Sequence, residues 1–90
     1  MNKSLNDIER DVVEKGIITD EDIDAFREVD GMLSVTTMAW AIKVCHNAAL
    51  RIKKGKSMIY KGKEISGEEF KKLLSDNLSD YMVRKIYSGI

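Results

Sequence analysis

The sequence predicts a mostly α fold: a single compact domain of about five helices, one of them long and central, with a short β-hairpin before the last two. Three observations lead there. Five hydroxyl residues (Ser4, Thr19, Ser34, Ser66 and Ser79) each stand just ahead of a helix-like apolar pattern, where a side-chain oxygen caps free backbone N–H groups. Proline is absent, and glycines fall where those patterns stop. One amphipathic stretch runs unbroken from Ser34 to Lys54.

Taken in order, Ser4 and Asp7 form a capping box that opens a first helix. Leu5, Ile8, Val12 and Val13 make its apolar face, and Gly16 ends it. Thr19 caps a second helix whose first turn, Asp20-Glu21-Asp22, puts three acids at the positive helix end. Ile23, Phe26 and Val29 face inward, and Gly31 stops it. The central helix follows. Beyond it, Met58–Tyr60 and Lys63–Ile65 flank Lys61-Gly62 as a very short hairpin that needs a helix to lean on. Ser66 and Glu69 open a fourth helix carrying Phe70, Leu73 and Leu74, Ser75-Asp76-Asn77 reads as a turn, and Ser79 caps the last helix.

Ninety residues suffice for one domain, organised as an acidic helical pair (1–33), the central helix (34–55) and a basic hairpin plus helix pair (56–90). A chain of this size buries roughly 60–65% of its unfolded surface, which leaves stability modest. An apolar share of 43% argues against wholesale disorder. No apolar run approaches the roughly 20 residues of a membrane span, and Met1–Asp7 lacks a signal-peptide core. A lone Cys45 has no intramolecular partner, which suits a reducing, cytoplasmic setting.

The net charge of zero conceals two poles. Residues 1–33 hold four bases against ten acids, a balance of −6, and residues 34–90 hold eleven bases against five acids, a balance of +6. Such poles orient an encounter with a charged surface.

Chemistry-bearing motifs are scarce. Cys45 and His46 are neighbours in a helix and point about 100° apart, so they make no nucleophile–base pair. The alternation Asp20-x-Asp22-x-Asp24 lacks the glycine and distant glutamate of a calcium loop, and no phosphate-cradling glycine loop or nucleophile elbow is present. No catalytic residue, metal ligand or cofactor is therefore expected.

On the central helix, Val35, Met38, Ala39, Ile42, Cys45, Ala49, Leu50 and Ile52 share one arc and are expected to face the core, with His46 packed and hydrogen-bonded among them. The opposite arc holds Thr36, Thr37, Lys43, Asn47, Arg51 and Lys54, yet Trp40, Val44 and Ala48 also fall there. Tryptophan beside arginine in a small apolar patch has the composition of an interface hot spot. Trp40, Val44, Lys43, Asn47 and Arg51 are thus expected to bind a partner protein, as a small non-enzymatic regulator of the kind phages and mobile elements encode to inhibit or adapt a host protein. The alternative is a DNA- or RNA-binding regulator. Residues 51–63 contain six bases and no acid, with Tyr60 among them, which suits a nucleic-acid backbone. The residues at stake are Lys53, Lys54, Lys56, Tyr60, Lys61, Lys63, Arg84 and Lys85. The last two helices are similar to a helix-turn-helix, with Ser79, Asp80 and Lys85 outward, although Lys71 stands where a small residue usually allows close approach. A homodimer is a third arrangement that would cover the Trp40 patch.

Overall fold

The computed structural model describes residues 3–32 and 34–90; Met1, Asn2 and Leu33, which fall in the acidic segment, lie outside the described residues. Five helices and a small three-stranded sheet form one globule among them. The mostly α expectation holds, as do the long central helix and the hairpin before the last two helices.

Helix α1 (Leu5–Glu9) opens on the Ser4–Asp7 capping box and continues into a π-helical segment, Arg10–Lys15, that ends on Gly16 in the left-handed region at φ 73°. Ile8 and Val12 are buried, whereas Leu5 stays half-exposed. Strand β1 (Ile17–Ile18) follows at once, too short for any alternating pattern to foretell it. Thr19 and Asp22 form the capping box of α2 (Asp20–Asp30), which buries Ile23, Phe26 and Val29.

Ser34 caps α3 (Val35–Lys53). Then β2 (Ile59–Tyr60) and β3 (Lys63–Glu64) pair antiparallel across Lys61-Gly62, both at positive φ as a tight two-residue hairpin demands. The hairpin leans on a strand as well as on helices: β2 pairs in parallel with β1, Ile17 opposite Ile59 and Ile18 opposite Tyr60. Ser66 and Glu69 form the third capping box, for α4 (Gly67–Asn77), and Ser79 caps α5 (Asp80–Ile86).

Two expectations are corrected. Residues 75–77 are the last turn of α4, not a turn between helices. The Lys72–Asp76 ion pair and the Asn77 side-chain bond to the Leu73 carbonyl extend the helix, leaving Leu78-Ser79 as the connection. The second correction is the roll of α3. Its buried residues are Ala41, Val44, Cys45, Ala48 and Ala49, while Val35 is 80% exposed and Ala39 lies open. Met38, Ile42, Leu50 and Ile52 are only partly covered. The core-facing arc is therefore rolled by about a quarter turn from the one the large aliphatics suggest. Small residues face the core because the π-helical segment, α2, α4 and α5 all pack on this helix, and alanines let their backbones come close.

Candidate functional site

The rolled helix changes the roles of the expected binding residues. Val44, at 1% exposure, and the fully buried Ala48 are core residues, so Val44 is withdrawn as a partner contact. Trp40 is half-buried: its ring lies 5.8 Å from that of Phe26, and its Nε1–H donates to Glu9 Oε1 at 3.2 Å. It ties α3 to α1 and α2, so it too serves the fold and is no free anchor.

Arg51 is committed to backbone. Its Nε donates to the Ser57 carbonyl at 3.0 Å, and its Nη1 to the carbonyls of Val13 and Glu14 at 3.2 and 3.0 Å. Those last two are carbonyls of the closing π-helical turn, where a cation satisfies acceptors left without helical donors. His46, expected to be packed and hydrogen-bonded, is partly buried with Nδ1 2.6 Å from the Ile86 carbonyl, which joins α3 to the end of α5. Cys45 is sealed in the core, and burial pushes its thiol well above the usual range, which makes it a poor nucleophile.

What remains on the outer face is polar and basic. Lys43, Asn47, Leu50 and Lys54 follow one line along α3, and Asn47, Leu50, Arg51, Lys54 and Lys56 line a shallow concavity of about 240 Å³ with Val13. Residues expected to touch a protein (Asn47, Arg51) and residues expected to touch nucleic acid (Lys54, Lys56) are thus brought into one place. No carboxylate side chain lines it.

Tyr60 and Lys61 do not join this surface. The Tyr60 hydroxyl donates to Asp20 Oδ1 at 2.6 Å, and Lys61 Nζ sits 3.5 Å from Asp20 Oδ2. The Tyr60 hydrogen bond, reinforced by Lys61, lowers the Asp20 carboxyl, and Asp20 raises both of its partners. Both residues instead pin the hairpin to α2.

Nor do the acids of α2 gather as a calcium loop would. Asp22 is buried and meets Lys3 and the Thr19 backbone, Asp20 turns to the hairpin, and Asp24 pairs with Arg27. Among the described residues no three His, Cys, Asp or Glu side chains are grouped as a metal site requires.

The helix-turn-helix likeness also changes. Ser79 N and Oγ both donate to the Asp30 carboxylate, at 2.7 and 2.8 Å, so the start of α5 is clamped to α2 and is not free to enter a groove. The exposed face of α5 is instead Tyr81, Arg84 and Lys85, which with Ser88 just beyond its end line a second open concavity of about 360 Å³. Tyr81 was not foreseen; an aromatic on the polar side of an amphipathic helix was the available signal.

Among the described residues no helix is long and apolar enough to cross a membrane. No protein-family model, curated protein or solved structure matches this chain, so its site is read from its own chemistry.

Proposed function

We propose that this chain is a non-enzymatic regulator that binds the phosphate backbone of a nucleic acid through the outer face of α3 and the basic residues bordering it. One observation carries the reading: the two charged poles are neutralised very unequally. In the acidic segment Lys3, Arg10, Lys15 and Arg27 are all in ion pairs. Of its ten acids, five are in ion pairs and three more accept a hydrogen bond. Asp7, Asp11, Asp22 and Asp24 meet those bases, and Glu21 accepts from the Lys3 backbone. Asp20, Glu9 and Asp30 meet Tyr60, Trp40 and Ser79.

From residue 34 onward only Lys61 and Lys72 are ion-paired among the described residues. Lys43, Lys53, Lys54, Lys56, Lys63, Lys71, Arg84 and Lys85 have no carboxylate within 4.0 Å among those residues. The acidic pole is largely satisfied within the fold, and the basic pole is left for a partner. A polyanion fits that surplus, since each phosphate contacted releases a counterion.

Filter binding of a labelled oligonucleotide over a salt series tests this. Log affinity should fall with log salt by about 0.7–0.9 for each phosphate contacted. The Lys43→Gln/Lys54→Gln/Lys56→Gln triple should shallow that slope by about two to three units. No retention of DNA or RNA at about 50 mM salt would overturn the reading. A partner captured from lysate that survives nuclease, and is lost with the same triple, would return the surface to protein binding.

A further inference from the structure

We infer that the exposed face of α5 is a stacking step for a base of single-stranded nucleic acid, with Tyr81 as the platform and Arg84 and Lys85 taking the flanking phosphates. This rests on the nucleic-acid reading above and narrows it to unpaired strands. Tyr81 differs from every other aromatic side chain of the chain. Phe26 and Phe70 are fully buried, Trp40 is tied to Glu9, and the Tyr60 hydroxyl is spent on Asp20. Tyr87 is mostly covered, and burial raises its hydroxyl to about 12. Tyr81 alone is half-exposed, with no hydrogen bond to its hydroxyl among the described residues.

Burial does not explain its position. The inward residues of α5 are Met82 and Ile86, and Tyr81 stands on the other side with Arg84, Lys85 and Ser88. Lys85 Nζ lies 5.6 Å from the ring centroid, near enough for a cation–π attraction that is weak at an exposed site. That contact steadies the ring and is readily exchanged when the ammonium finds a phosphate.

The lining of the concavity holds two cations, two hydroxyls and one aromatic face, and no carboxylate. An acidic peptide would satisfy the cations but would leave the ring unused. A duplex would satisfy them too, but its base faces are already stacked on their neighbours. An unpaired strand uses both features, since any base offers a π face and its phosphates fall to either side. The end of α5 is also joined to α3 at His46, whose neighbour in sequence, Asn47, lines the first concavity.

The test is fluorescence anisotropy of the full chain against a labelled 20-nucleotide oligo-dT and a blunt 20-base-pair duplex at low salt. Tyr81→Ala should weaken oligo-dT binding by about tenfold or more and leave the duplex unchanged, with Tyr81→Phe restoring wild-type affinity. Unaltered oligo-dT binding by Tyr81→Ala would overturn the inference, as would equal losses on strand and duplex. Tyr81-dependent binding of poly-glutamate in place of oligo-dT would also overturn it, by assigning the face to an acidic peptide. Lys54→Gln/Lys56→Gln separates the two readings. If it weakens both ligands while Tyr81→Ala weakens neither, only the stacking step fails; if wild-type chain binds neither ligand, both readings fail. Thermal melting of each variant checks that affinity is compared between folded chains.

Discussion

Gly16 closes the π-helical end of α1 and hands the chain to β1 at a φ of 73°, a conformation costly for residues with a Cβ. Space is lacking as well. A Cβ there would stand 2.5 Å from the Ser57 carbonyl oxygen and 2.6 Å from Arg51 Nε, inside the hydrogen bond those two atoms make with each other. Gly16→Ala therefore has to move a backbone carbonyl or eject a guanidinium that also holds the Val13 and Glu14 carbonyls. The expected loss is about 2–4 kcal/mol, from backbone strain together with carbonyls left without donors. Urea denaturation reads it as a fall in midpoint at constant slope; a midpoint within error of wild type would show that the junction relaxes freely. By contrast Gly31→Ala meets nothing within 4 Å and serves as the control.

At the scale of elements, α3 shows where sequence patterning was informative and where it was not. Its limits were legible, because Ser34 and Gly55 bracket an uninterrupted run and caps depend on local chemistry. Its roll was not. Large aliphatics dominate an apolar pattern, but Val35 is exposed, Leu50 lies on the outer face and Ile52 at the margin of the packed one, while Ala41 and Ala48 sit at its centre. The error carried into the site, since it placed Val44 outside and made Trp40 look unsupported. The basic stretch from Lys53 to Lys63 was readable as composition. That Tyr60 and Lys61 are held by Asp20 was not, because the pairing spans 40 residues. Strand β1 was missed for a related reason: two residues carry no period, and it exists only because β2 lies alongside. The observed roll makes a sharp expectation. Ala48→Leu should destabilise the fold by about 1–3 kcal/mol through overpacking, whereas Val35→Ser should stay within about 0.5 kcal/mol. Chemical denaturation of the two variants decides it, and the reverse ranking would restore the roll suggested by the large aliphatics.

Over the whole molecule, the division of labour between the poles makes folding and binding respond differently to pH. The acids of the first segment hold the fold in their charged form. The Lys3 ammonium holds Asp11 below its ordinary value of 3.8, Arg10 does the same for Asp7, and the Tyr60 hydroxyl for Asp20. Across the fold, the Ser66 backbone lowers Glu69 beneath 4.5. Partial burial pulls the Lys3 ammonium down, but its bonds to Asp11 and Asp22 outweigh that and raise it above 10.5. A carboxyl lowered by folding adds stability that is complete above its unfolded value and is lost as pH falls through its folded one. The lysine's contribution, opposite in sign, persists below 10.5 and fades only in strong alkali. The thermal midpoint should therefore be level from about pH 7 to 5 and fall below about pH 4. In that range the lysines and arginines of the binding face keep their charge, and with the carboxylates discharged their mutual repulsion deepens the fall. Asp11→Asn should lower the midpoint at pH 7 and flatten the acid limb, because it removes in advance a charge that acid would otherwise neutralise. Melting curves from pH 7 to 2 in low salt measure both effects. A midpoint that stays level to pH 2, or an acid limb unchanged in Asp11→Asn, would show that the acidic segment is not what holds the chain folded.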